Sequence, residues 1–135
     1  MNFDALAVTW SPRLLSILRI MSGLLFLQHG TAKHLKVPTV PMFDKLEPFS
    51  LSSLSGIAGY LELVGGVLLI LGLFTRTTAF ILSGLMAVAY FIGHAPRGFY
   101  PILNQGELAI LYCFVFLYIA AAGSGPWSLD AMRRK

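Results

Sequence analysis

Charge is scarce in this chain. Lys, Arg, Asp and Glu make up 12% of its 135 residues and hydrophobic residues 56%, whereas soluble domains run at about 25% charged and roughly 45–50% apolar. With a mean hydropathy of +0.74, there is too little polar surface to cover a water-soluble domain, and the composition is that of an integral membrane protein. The net charge of +4 sits largely at segment ends, notably Arg133, Arg134 and Lys135. No basic patch interleaved with aromatics is present, so nucleic acid is not an expected partner. Cysteine occurs once, as Cys113 within an apolar run. One thiol excludes an internal disulfide and a dithiol redox pair, and it reads as a small buried hydrophobe. The opening MNFDALAVTW lacks the basic region of a cleavable signal peptide.

Chemical motifs are equally sparse. There is no Ser/His/Asp pattern, phosphate-binding loop, flavin, haem or iron–sulfur signature. His29 and His94, with Glu62 and Glu107, lack spacing such as His-x-x-x-His, so no metal site is expected.

What the chain does contain is long apolar runs carrying isolated polar groups. Helix 1 is expected from about 13 to 35, started by Ser11 as N-cap and Pro12 in the first turn, with Trp10 as an interfacial anchor. Its Arg19, Ser22, His29, Gly30 and Lys33 share a broad face. Residues 36–54, broken by Pro38, Pro41 and Pro48, read as an ordered interfacial loop or lid. Helix 2, about 54–74, places Gly59, Glu62 and Gly66 together, small residues that permit close helix approach. Helix 3, about 77–93, presents Ala79, Ser83, Met86 and Tyr90, then His94. A turn-rich stretch from His94 to Glu107 leads into helix 4, about 105–122, with Glu107, Leu111, Phe114 and Tyr118 on one stripe. The expected fold is all-α: one domain over 1–135, a four-helix transmembrane bundle with antiparallel up-down connectivity and both termini on one side. Clustered basic residues at the end favour termini in the cytoplasm.

Antiparallel connection assigns each residue a depth. Glu62 lies roughly 12 Å, and His29 about 9 Å, inside the same membrane face. Gln28, Lys33, Tyr90, His94 and Glu107 fall in that half too, and Arg19 in the other. An uncompensated charge in hydrocarbon costs about 2.5–3.5 kcal/mol on insertion scales, so Glu62 should find His29, Lys33 or a proton, with His29 favoured. Glu107, at a helix N-terminus, can pair with Lys33 or Arg97. The same polar groups also suit a purely structural role as glue between helices.

Three pieces carry a family resemblance: RIMSGLLFLQHGTAK in helix 1, LELVGGVLLILGLFTR in helix 2, and the stretch from MAVAYFIGHAPRGFYPILNQGELAIL to AAAGSGPWSLD. In this order and spacing the chain resembles the DoxX family of small four-helix bacterial membrane proteins. The resemblance implies a place in the bacterial inner membrane and a link to redox systems, one relative being a subunit of a thiosulfate:quinone oxidoreductase and others partnering thiol-handling proteins. The family-like positions are Arg19, His29, Gly30, Lys33, Glu62, Gly66, Thr75, Arg76, His94, Pro96, Gly98, Asn104, Gly106 and Glu107.

Two functions follow. The first is a membrane subunit of a quinone-linked or thiol- or sulfur-linked oxidoreductase. His29, Glu62, His94 and Glu107 would handle protons at a quinone head-group, Lys33 and Tyr90 would help bind it, and a partner subunit would supply electrons. The second is a non-catalytic anchor or assembly partner for a soluble redox enzyme, docked on loops 36–54 and 94–107. A small transporter is less favoured, since no inverted repeat or broken helix stands out, although a homo-oligomer would enlarge its pathway.

Overall fold

A computed structural model describes residues 2–134. Among them the chain is helical, without strands. The long elements are α1 (Phe3–His34), α2 (Leu54–Leu71), α3 (Thr75–Ala89) and α5 (Glu107–Ala122). The short ones are α4 (Pro101–Asn104) and α6 (Leu129–Arg133). A π-turn over Tyr90–His94 and a 3-10 turn over Ala95–Arg97 extend α3, so Thr75–Arg97 is 23 helical residues. By length and composition, α1, α2 and this extended helix can each cross a membrane, and α5 is a fourth, shorter apolar helix of 16 residues.

The helix starts differ from the sequence signals in one instructive place. Ser11 and Pro12 do not begin α1. Asn2 does, its side chain accepting from the Asp4 and Ala5 amides, and Pro12 lies inside the helix. The Asn2 cap makes residues 3–12 an extra helical arm, with Phe3 and Val8 exposed, and Pro12 is tolerated inside the helix although it has no amide to give to the turn before it. Helix α2 stops at Leu71, short of the expected 74, because Gly72 takes the left-handed conformation at φ 67°. The Gly72 amide reaches Leu69 O and the Leu73 amide reaches Leu68 O, a Schellman ending. Helix α3 then begins at Thr75, two residues earlier than expected.

Helices α1 and α2 pack as one pair, α3 and α5 as another, with α2 against α3 joining them. The α1–α2 backbones almost touch. A Cβ added at Gly30 would sit 2.7 Å from the Leu63 amide nitrogen, and one at Gly66 would sit 2.9 Å from the Leu27 Cα. The two pairs meet at a core of Phe26, Leu69, Ala79, Leu82, Met86, Tyr112, Phe116 and Ile119. Within it Phe26 lies edge-on to Tyr112 and Phe116 at 5.4 and 5.0 Å between ring centres. Burial bears out the faces read for the first three helices. On α5 the stripe of Glu107, Leu111, Phe114 and Tyr118 faces outward, while Ala109, Tyr112, Phe116 and Ile119 face the core. That helix is apolar on every side, so periodicity could not select its inner face.

At the end that carries the termini, Arg19 is fully buried and compensated by carbonyls rather than by a carboxylate. Its Nε donates to Ser124 O at 2.8 Å, Nη1 to Leu69 O and to Ile70 O at 2.9 Å, and Nη2 to Trp127 O. The guanidinium thus closes the C-terminal end of α2, where the helix dipole favours a cation, and binds the chain after α5 to it. Asp130 performs the opposite service for α3, accepting from the Phe74 and Thr75 amides at 3.0 and 2.8 Å. Burial alone would raise the Asp130 carboxyl, but the amides of Thr75 and Phe74 and the charge of Arg134 outweigh it and hold it below its ordinary value.

A depressed carboxyl stabilises the fold fully above about pH 4 and loses that contribution as pH falls through the folded value. Replacing Asp130 by Ala should therefore lower thermal stability in detergent at neutral pH by the cost of a lost cap, about 0.5–2 kcal/mol. Unfolding of both proteins between pH 3 and 8 checks this: the gap should close at the acid end, and a constant gap would contradict it.

Candidate functional site

The polar groups in the half away from the termini form two clusters rather than one layer. In the first, α1 and α2 approach closely enough for Lys33 Nζ to donate to Glu62 Oε1 at 2.7 Å. The residues are 8% and 3% exposed, and this is the only ion pair among the described residues. The favoured partner for Glu62 was His29; the structure gives Lys33. The lysine lies one turn nearer the membrane face, and its flexible stem lets the ammonium reach back to the carboxylate. His29 is half-buried beside them, within electrostatic range of both charges. Its ring faces the Phe26 and Tyr112 rings at 6.5 and 6.4 Å.

Glu62 Oε2 is buried without a hydrogen-bond partner. A buried acceptor left open normally costs about 1–3 kcal/mol, more when charged, so this oxygen is the one unsettled group of the site. Phe43, from the loop between α1 and α2, lays its ring 5.4 Å from Lys33 Nζ and covers the pair from the loop side.

His34, which sequence reasoning passed over, fastens that loop. Its Nδ1 accepts the Phe49 amide at 2.9 Å. The other nitrogen, Nε2, must then carry the proton and donates to Gly56 O at 2.9 Å. The ring stacks on Phe49 at 5.2 Å and tilts against Tyr60 at 4.6 Å. Its sequence signal was available: His34 lies one helical turn beyond Gly30, on the face toward α2. Lys36 adds a second clasp, its Nζ donating to Phe43 O and to Leu46 O.

The second cluster is built around Asn104, fully buried at the end of α4. Asn104 Nδ2 donates to Gly98 O at 2.9 Å and to Tyr90 Oη at 3.3 Å, and its Oδ1 accepts the Gly106 amide at 2.8 Å. His94 Nδ1 donates to Asn104 O at 3.0 Å. Tyr90 and His94 are therefore committed to holding the turns from Ala95 to Gly106. Glu107 is exposed in the first turn of α5 and pairs with neither Lys33 nor Arg97 among the described residues, because Lys33 is engaged by Glu62 and that side of α5 faces outward. Gln28 is exposed as well. Of the six residues read as a site, Lys33, Glu62 and His29 come together; Tyr90 and His94 form the second group, and Glu107 joins neither. Among the described residues no three His, Cys, Asp or Glu side chains are grouped to hold a metal.

A buried pair has a characteristic mutational signature. Lys33→Met or Glu62→Leu alone strands a charge and should cost about 3–5 kcal/mol, whereas the double replacement should recover most of it. A double-mutant cycle on unfolding in detergent checks this; additive losses would show that the two residues do not act as a pair.

The sequence profile of the DoxX family matches residues 14–95. An uncharacterised protein of Haemophilus influenzae is 47% identical over 127 residues, covering 90% of this chain and 91% of its own length. A second uncharacterised protein from the same organism is 35% identical over 74 residues, covering 55% of this chain and 49% of its own. No solved structure matches. The family profile spans the Lys33–Glu62 pair, His29 and the glycine contacts that allow them, and the chain belongs to the DoxX family of membrane proteins.

Proposed function

We propose that this protein is a membrane subunit of a quinone-linked redox system, with the head-group seated at Lys33, Glu62 and His29. The observation that carries the reading is Glu62 Oε2, a buried carboxylate oxygen with no partner, next to a lysine that has spent one of its three N–H groups on the carboxylate. These residues fit the polar rim of a quinone: an ammonium can donate to a carbonyl oxygen, and a carboxylate oxygen can accept from a hydroxyl. A bound quinone would supply the two-electron, two-proton couple, with electrons delivered by a partner protein. Within the chain, Lys33 holds Glu62 in place and orients an oxygen, Glu62 Oε2 takes up or releases a proton, and His29 exchanges it toward the membrane face. Displacement of Phe43 opens the way to the pair. Tyr90, His94 and Glu107 move to a supporting or unrelated role in this reading.

We place the protein in the bacterial inner membrane with cytoplasmic termini. Arg13, Arg76, Arg133 and Arg134 lie toward the terminal side, with Lys33, Lys36, Lys45 and Arg97 opposite. Arg76, Arg133 and Arg134 are exposed on the terminal side, against Lys45 and Arg97 on the other, which leaves the terminal side slightly richer in outward-facing basic charge. Lys135, the end of the basic cluster, lies outside the described residues.

The anchor reading has its own support. Phe99 is 87% exposed, with Ile102 and Leu103 also projecting from the turns before α5, an apolar patch suited to a partner at the membrane surface. The two readings separate experimentally. His29→Ala leaves the ion pair in place, so its fold should persist while co-purifying quinone falls at least fivefold and donor-dependent respiration falls with it. Quinone content and respiration at wild-type levels in a folded His29→Ala protein, with loss of partner capture in Phe99→Ser, would replace the quinone site by the anchor.

A further inference from the structure

At the end of the bundle carrying the termini, a cavity of about 370 Å³ opens between the start of α3, the chain after α5 and α6. Thr75, Arg76 and Thr77 line one side, with Arg133, Arg134 and Asp130 opposite. Three guanidiniums thus line the cavity against one carboxylate, whose two oxygens each accept an amide, from Phe74 and Thr75. The guanidiniums are positioned but not exhausted. Arg76 commits Nη1 to the Ala120 and Ala121 carbonyls that end α5, and Arg134 commits Nε to Asp130 O and Nη2 to Ser124 Oγ, each at 3.2 Å. Arg76 Nη2 and Arg134 Nη1 remain for a ligand. Arg133 makes no hydrogen bond among the described residues and rests 5.1 Å from the Phe74 ring centre. Asp130 takes the first two amides of the α3 start, which leaves those of Arg76 and Thr77, pointing out of the helix at its positive end. Thr75 Oγ1 is buried in the cavity wall beside Asp130 and makes no hydrogen bond of normal geometry.

We propose that this cavity binds a phosphate group at the membrane surface. Fixed guanidiniums with spare N–H groups, open amides at a helix start and excess positive charge are the requirements for phosphate, and Arg provides them in the forked geometry that phosphate oxygens match. Its level in the bundle points to a phospholipid headgroup. The cavity lies where α2 hands over to α3 and where α5 ends, and exposed Phe74, Phe80 and Trp127 border this boundary, as aromatic side chains do at the headgroup level. A headgroup phosphate held here would join α3, α5 and α6 through Arg76, Arg133 and Arg134, independently of Lys33 and Glu62 at the opposite end.

The test uses the full chain in a neutral detergent, titrated with phosphatidylglycerol, phosphatidylcholine or inorganic phosphate and followed by native mass spectrometry and thermal unfolding. Phosphatidylglycerol should bind and raise the unfolding temperature. Arg133→Gln, which removes no hydrogen bond within the described chain, should weaken that binding about fivefold to tenfold, while Arg97→Gln at the other end should leave it unchanged. Stabilisation by inorganic phosphate alone, lost in Arg133→Gln, would retain the phosphate site and assign it to a soluble ligand. Phosphatidylglycerol binding as tight in Arg133→Gln as in the unaltered protein, equal loss in Arg97→Gln, or binding by neither lipid nor phosphate would overturn the proposal.

Discussion

The half of the bundle away from the termini depends on one contact, the ion pair of Lys33 with Glu62. A lone carboxylate or ammonium at that depth is costly, so each residue requires the other. Their meeting requires α1 and α2 to approach almost to backbone contact, which Gly30 and Gly66 allow because a side chain there would collide with α2 or α1. The loop then closes over the result: Phe43 covers Lys33, His34 ties Phe49 to Gly56, and Lys36 holds the carbonyls of Phe43 and Leu46. Glycine spacing, helix approach, ion pair and lid form one chain of cause.

The two ends of the molecule solve the same problem in different ways. Arg19, as deeply buried as any side chain in the protein, spends its guanidinium on backbone carbonyls of α2 and the chain after α5. That arrangement uses four of the five guanidinium N–H groups on fixed backbone, and it reads as a joint. Glu62, by contrast, keeps one oxygen unpaired, and among the described residues Thr75 Oγ1 is the only other buried side-chain N or O so left. An unpaired buried oxygen is poor glue, which is why we propose the head-group site at Glu62 and not at Arg19.

Much of this was legible in the sequence, and the parts that were not share a physical cause. The spacing of Gly59, Glu62 and Gly66 placed the acid at a close helix contact, because one turn of helix brings such residues onto one face. Its partner was harder to read. His29 and Lys33 lie a single turn apart on the same face, and side-chain reach, which no periodicity encodes, favours the lysine. Glu107 was misplaced because α5 is apolar all round and offers no contrast between inside and outside. Asp130 capping α3 joins residues 55 apart in sequence, beyond any local pattern. Asn104 stood among the family-like positions, yet its role emerged only once the turns from Ala95 to Gly106 were folded around it.

The central claim is that the open Glu62 oxygen, with Lys33 and His29, marks where a quinone head-group sits. The most direct measurement is photo-crosslinking of the membrane-embedded protein with an azido-quinone, followed by peptide mapping. The account predicts label on α1 around His29 to Lys33, on α2 around Glu62 and on the neighbouring Phe43, competed away by unlabelled quinone. Label confined to the turns around Asn104 or to the terminal end near Arg19, or label that unlabelled quinone does not displace, would contradict it.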